Sequence, residues 1–165
     1  MSSAARDPVL AYVGLGANLG QPEQAVRQAL RAVGALPGTR PVAASSLWRS
    51  APVQADGPLF VNAVLAIFTR LPAPELLDKL QNLEQMAGRQ RPYRNAPRTL
   101  DLDVLLYGSA RIDSPRLTVP HPRLAQRAFV LHPLAEIAPD RVTAADLAAV
   151  AGQWVERLPP LAAAP

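Results

Sequence analysis

The segment Arg89–Tyr107, RQRPYRNAPRTLDLDVLLY, constrains this chain more than any other. Its second half is an apolar run broken only by Asp101 and Asp103. Successive side chains of a strand turn to opposite faces. Leu100, Leu102, Val104 and Leu106 are therefore expected on one face, and Asp101, Asp103, Leu105 and Tyr107 on the other. Such a strand needs a sheet with one packed face and one that tolerates two carboxylates roughly 6.5–7 Å apart. That separation lets both serve one cluster of hard cations and is too short for two unpaired buried charges. Mg²⁺ takes one or two carboxylates together with substrate phosphates. The first half is a loop carrying Arg89, Arg91, Arg94 and Arg98, punctuated by Pro92 and Pro97. Guanidinium groups hold phosphate oxygens bidentately. Either feature alone reads as an edge strand or as plain surface; joined, they point to Mg²⁺ and a polyphosphate.

The bulk numbers fit one globular domain over residues 1–165, with 49% hydrophobic and 18% charged residues. No apolar run has the length of a membrane span, and MSSAARDPVL lacks the pattern of a secretory signal. No cysteine is present, which excludes disulfides, zinc–thiolate sites and a thiol nucleophile. A cytoplasmic monomer without a membrane or nucleic-acid partner is expected. The net charge is +4, and Lys79 is the only lysine. The arginines concentrate at 89–98 and 111–127, which favours a local anion pocket over a groove that tracks a nucleic-acid backbone.

Taken in order, Val9–Leu15 reads as a first strand ending in GLGANLG. Leu19 occupies the third-glycine position of a dinucleotide fingerprint, and no acidic residue lies between Glu23 and Asp56. The fingerprint is therefore rejected, and the glycines are expected to shape a tight strand-to-helix turn. Pro22–Val33 is an amphipathic helix, Val42–Trp48 a second strand, Ser50–Pro58 a loop and Phe60–Thr69 a third strand. Within that strand, Asn62 either bonds a neighbouring loop or reads the edge of a heterocycle. Ala73–Ala87 is a second helix; Glu84 projects from its apolar face, toward the site or into a salt bridge with an arginine. Leu124–Val130 begins a helical stretch carrying Arg127 and then Phe129, and His132 reads as structural. A short helix over roughly Ala144–Trp154 follows, with 155–165 a loose tail and the core spanning about residues 9–139. The order strand, helix, strand, strand, helix, strand is that of the ferredoxin-like α+β sandwich, an antiparallel sheet with helices on one face.

NAPRTLDLDVLLYG, with Gly88–Arg91, RLTVPHPRL and YVGLGANLG, strongly resembles the 6-hydroxymethyl-7,8-dihydropterin pyrophosphokinases, from about Val9 to Pro139. The resemblance implies transfer of pyrophosphate from ATP to the hydroxymethyl oxygen of the pterin, leaving AMP, in folate biosynthesis. Carried over position by position, it implies that Asp101 and Asp103 hold two Mg²⁺ ions and that Arg89 and Arg98 close on the phosphates. Ser50, Val53, Phe60, Asn62 and Phe129 fall at pterin positions, the two phenylalanines sandwiching the ring. Gln81, Glu84, Arg91, Val104, Arg116, Thr118, His121 and Arg127 fall around ATP or its support. Asn95 stands near a position commonly held by tryptophan, and Pro122 where a tyrosine is common. No general base is evident. Residues 89–98 and 50–58 are expected to act as lids. A metal-dependent glycosyltransferase, which also uses Asp-x-Asp, would need a nucleotide-binding half that the chain lacks. An RNA-binding ferredoxin-like module would need a Gly-Phe-x-Phe pattern that does not occur.

Overall fold

The computed structural model describes residues 6–52, 57–88 and 100–160. Strand β1 (Val9–Ala17) is central, lying antiparallel between β4 (Phe60–Thr69) and β5 (Asp101–Tyr107). Beyond β4 come β2 (Thr39–Ala44) at one end and β3 (Trp48–Ser50) at the other, and β8 (Val155–Arg157) adds to β3. A separate two-stranded ribbon pairs β6 (Ile112–Asp113) with β7 (Thr118–Val119). The fold is the expected ferredoxin-like α+β arrangement.

Helices α1 (Pro22–Gly34) and α2 (Ala73–Gly88) cover one face. Pro22 starts α1 where its missing N–H costs nothing. Val26, Ala29 and Val33 of α1, and Leu76, Leu77 and Leu80 of α2, meet Val13, Leu15, Leu65, Ile67, Leu102 and Val104 of the sheet. Full burial of each large side chain contributes about 1.5–3 kcal/mol. The sequence also offered a helical stretch after Leu124. It becomes a 3₁₀ turn (Leu124–Gln126) and then α3 (Ala128–Ile137), which packs on the opposite face against Tyr12, Val64, Ala66 and Leu105. That face is therefore half covered rather than left open along its length.

Several local expectations are corrected. The second strand is not continuous over 42–48: Ser45–Leu47 interrupts it, and the pairing with β4 slips by one residue near Pro41 and again across the interruption. Ser45 still engages β4, its N–H donating to Val64 O and its Oγ accepting from Val64 N–H, both at 2.9 Å. The regular alternation expected in β5 fails at Leu105. Val13 pairs with Val104 and Tyr12 with Leu106, so Leu105 is the extra residue of a β-bulge. Tyr107 consequently joins Leu102 and Val104 in the helical core, while Leu106 packs with Leu105 on the other face. The last helix, α4 (Ala144–Ala149), stops well before Trp154. Residues 155–157 are strand rather than loose tail, and Leu158 is buried with its N–H bonded to Leu47 O at 2.8 Å.

Candidate active site

On the face opposite α1 and α2, the strands change character partway along. Under α3 they present Tyr12, Val64, Ala66 and Leu105; past the end of α3, the same alternation presents Gly14, Gly16, Asn62, Phe60, Asp101 and Asp103. A cavity of about 660 Å³ opens there, within the size range of small-molecule sites. Its walls include Phe129 and Arg127 at the start of α3, Gln81 and Glu84 from α2, and Arg116, His121 and Arg123 from the segments after β5.

Asp101 pairs across the ladder with Gly16, and Asp103 with Gly14. Both carboxylates thus stand beside a floor with no side chains. Contrary to expectation, Gly14 and Gly16 are not turn residues: they lie inside β1, which runs on to Ala17. A Cβ at Gly16 would meet Asn62 Oδ1 at 3.1 Å, and one at Gly14 would meet Leu105 at 3.3 Å. Gly20, with φ of 64°, makes the turn instead.

Asn62 is buried and commits its NH₂ to β3, donating to Ser50 Oγ at 2.8 Å and weakly to Trp48 O at 3.4 Å. The structural reading of this residue therefore holds: the bond to β3 fixes the amide, and the fixed amide lines the cavity. Ser50 stands behind it, buried. Glu84 lines the same cavity. One of its carboxylate oxygens accepts from Leu102 N–H at 2.8 Å, on the outer edge of β5 between the two aspartates. This bond fixes the strand segment that carries both of them.

His121 donates its N–H to Leu105 O at 2.9 Å, anchoring the segment to the bulge, and its Nδ1 accepts from Arg123 N–H at 3.1 Å. Burial pushes its pKa below the usual imidazole value, against the pull of Asp103, and Arg127 and Arg123 push the same way as burial. A neutral ring with Nδ1 as acceptor leaves Nε2–H as its donor. Arg116 pairs with Asp78 at 2.5 Å on the exposed rim, where such pairs contribute little. The Arg127 guanidinium lies 5.4 Å over the Phe129 ring.

Ten expected site residues thus line one cavity: Phe60, Asn62, Gln81, Glu84, Asp101, Asp103, Arg116, His121, Arg127 and Phe129. Ser50 supports it from behind. Val104 points into the helical core and Thr118 sits in β7, neither lining the cavity, so an approach by Val104 to a ligand would involve only its main chain. Val53, Arg89, Arg91 and Arg98 lie outside the described residues. Sequence reasoning left Gly14, Gly16 and Arg123 unassigned although all three line the cavity. The sequence shows the period-two spacing of the glycines, but their placement opposite Asp103 and Asp101 comes from the pairing of β1 with β5.

Fold and site together define a class: a ferredoxin-like domain whose half-open sheet face carries paired carboxylates, arginines and an aromatic-walled slot, suited to group transfer from a polyphosphate. Comparison with known proteins narrows this. Residues 12–139 match the family described as 7,8-dihydro-6-hydroxymethylpterin-pyrophosphokinase (HPPK). The chain is 49% identical to the 2-amino-4-hydroxy-6-hydroxymethyldihydropteridine pyrophosphokinase of Pseudomonas aeruginosa, covering 90% of this chain and 96% of that one. It is 46% identical to the protein of that name from Haemophilus influenzae, covering 81% and 84%. Among solved structures, an HPPK-DHPS in complex with substrates superposes with a TM-score of 0.66 at 10% identity, over 88% of this chain and 43% of that one. The wild-type Plasmodium falciparum HPPK-DHPS gives 0.61 at 12% identity, over 83% and 41%. The chain spans about two fifths of those longer solved chains, and at such identities they attest the fold. The chain belongs to the 7,8-dihydro-6-hydroxymethylpterin-pyrophosphokinase family and is an enzyme of the pyrophosphokinase class.

Proposed function

We propose that the chain transfers pyrophosphate from Mg·ATP to the hydroxymethyl oxygen of 6-hydroxymethyl-7,8-dihydropterin, giving the pterin diphosphate and AMP, as a step of folate biosynthesis. The observation that carries this reading is the convergence of Asp101, Asp103, Asn62 and Phe129 on one cavity beside Arg116, Arg123 and Arg127. The pterin would lie between Phe60 and Phe129, with its ring edge against Asn62. ATP would lie along Gln81, Glu84 and His121, with Arg89, Arg91 and Arg98 supplied by the arginine loop.

The donor set fits Mg²⁺. Asp101 and Asp103 are hard oxygen ligands over a bare glycine floor, and no cluster of three acidic, histidine or cysteine ligands occurs among the described residues. Two carboxylates with substrate phosphates is the manner in which Mg²⁺ is ordinarily held, rather than in an all-protein cage. Two Mg²⁺ ions held there would neutralise the triphosphate and acidify the attacking hydroxyl. The remaining contributions come from the chain itself. Phe60, Phe129 and Asn62 fix the alcohol relative to the β-phosphorus, and the arginines take up charge on the phosphate oxygens. Glu84 holds the strand segment that carries both aspartates.

The test is AMP release from Mg·ATP with and without the pterin, beside Asp103→Ala. Pterin-dependent AMP without ADP, absent from the variant, is expected. A folded wild-type protein that releases no AMP would sink the reading and move a non-catalytic binding module into first place; steep salt dependence of RNA binding would then mark that module.

A further inference from the structure

Residues beyond 139 lie outside the family match, yet they touch both walls of the aromatic end of the cavity. On one wall β8 pairs with β3, placing Val155 opposite Ser50 and Arg157 opposite Trp48. Ser50 is the hydroxyl that receives the Asn62 amide. On the other wall, Gln153 grips the turn that launches α3. Its Oε1 accepts from Ala128 N–H at 2.9 Å, and its Nε2 donates to Gln126 O at 2.8 Å. The two bonds bracket Arg127, whose backbone is extended at φ −126° and ψ 113° and whose side chain lies over Phe129.

The first N–H groups of a helix have no partner within it, and the N-cap of α3, Arg127, makes no side-chain cap. Gln153 supplies that cap from a distant part of the chain. An amide side chain offers an acceptor and donors in one plane, which is what bridging an N–H and a carbonyl two residues apart requires.

We propose that Gln153 is a positioning residue for the pterin end of the site. It sets Arg127 and Phe129, and the adjoining β8 holds that wall in register with Ser50 and Asn62. The inference rests on the assignment of Phe60, Asn62 and Phe129 to the pterin made above. Of the described residues assigned to ATP, only Arg127 adjoins Gln153; Gln81 and Glu84 on α2, and Arg116 and His121 on the segments after β5, lie away from the turn that Gln153 grips. Gln153 therefore affects one substrate more than the other.

The experiment measures KM for each substrate, and pterin affinity at equilibrium with Mg²⁺ and a non-hydrolysable ATP analogue. Gln153→Ala is expected to raise the pterin KM about tenfold, since small misplacements of positioning groups cost that much or more, with the ATP KM within about twofold. Gln153→Glu keeps the acceptor for Ala128 N–H and loses the donor to Gln126, so it should retain part of the affinity. Thr143→Ala breaks the capping box of α4 and loosens the same segment without touching either wall; its pterin KM should match wild type. An unchanged pterin KM in Gln153→Ala overturns the inference. So do equal rises for both substrates, or an equal effect from Thr143→Ala. Should Gln153→Ala fail to fold, a wild-type pterin KM in Gln153→Glu overturns it as well. Wild-type protein that binds no pterin overturns the functional reading and this inference together, whereas wild-type binding with an unaffected variant overturns this inference alone.

Discussion

The two faces of the sheet are made by the same strands with the same alternation, and they differ in where their apolar cover stops. On the α1–α2 face, Val13, Leu15, Leu65, Ile67, Leu102 and Val104 are continuously buried. On the other, Tyr12, Val64, Ala66 and Leu105 are buried beneath α3, and then the side chains give way to Gly14, Gly16, Asn62, Asp101 and Asp103. A continuous apolar face settles how the chain packs. An interrupted one leaves polar groups on a rigid support, where they can be held in register without a core of their own.

The comparison breaks if chemistry and stability cannot be separated between these faces. The largest effect expected is at the bare half. Asp103→Ala should reduce pterin-dependent AMP formation by about 10³-fold or more, or about 4 kcal/mol of barrier. Its thermal midpoint should stay close to wild type, since no core contact is lost. Steady-state assays beside a melting curve decide this; a large drop in the midpoint would show that Asp103 is structural. The counterpart on the continuous face is Leu80→Ala. Leu80 is fully buried, so about 2–5 kcal/mol of stability should be lost. The kcat/KM of the folded fraction should change little, as urea titration and assay at low temperature would register.

The continuous face was also the more legible one. α1, α2 and β4 were readable because the periods of 3.6 and 2 leave apolar residues at fixed spacing, and Pro22, Gly34 and Gly88 punctuate them. What was misread depends on irregular backbone. The bulge at Leu105 moved Tyr107 and Leu106 to opposite faces from those that alternation assigned. The break at Ser45–Leu47 and the strand at Val155–Arg157 are held by long-range pairing with β4 and β3, for which local sequence carries no signal. At the site, Asp101, Asp103, Asn62 and Glu84 were legible because each is a polar residue in an apolar pattern. Gly14 and Gly16 were not, because their role is the space they leave on a strand interior rather than a contact they make.

That space gives the next prediction, smaller than the first two. Gly16→Ala would place a methyl 3.1 Å from Asn62 Oδ1. Either Asn62 shifts off its bond to Ser50 or the strand moves by a few tenths of an ångström. A cost of about 1 kcal/mol, near fivefold, is expected on pterin KM, in line with a strained polar contact, with less change for ATP. The double variant Gly16→Ala, Asn62→Ala should show less than the sum of the single effects. Strict additivity would mean that Gly16 acts on the ligand directly and that the two floor positions are independent.

The smallest effect concerns what holds the cover over the apolar half. Glu136, on α3, accepts from Ser46 Oγ at 2.6 Å, Ser46 N–H at 3.0 Å and Trp48 Nε1 at 3.0 Å, and Trp48 in turn packs against the His132 ring at 5.4 Å. Partial burial alone would raise the Glu136 pKa. The bonds from Ser46 and Trp48, with the charge of Arg157, outweigh it and bring the value below the ordinary 4.5. A carboxyl with a depressed folded-state pKa binds fewer protons folded than unfolded. Its contribution is therefore fully present above the unfolded value and is lost as pH falls through the folded one. Glu136→Gln should destabilise the protein by about 1 kcal/mol or less at pH 7, because the tether is exposed. The difference from wild type should shrink on acidification below about 4.5 and vanish once the carboxyl is protonated in both states. Paired urea titrations at neutral and acid pH measure it. A difference that stays constant across that range would place the tether in the shape of the side chain rather than its charge.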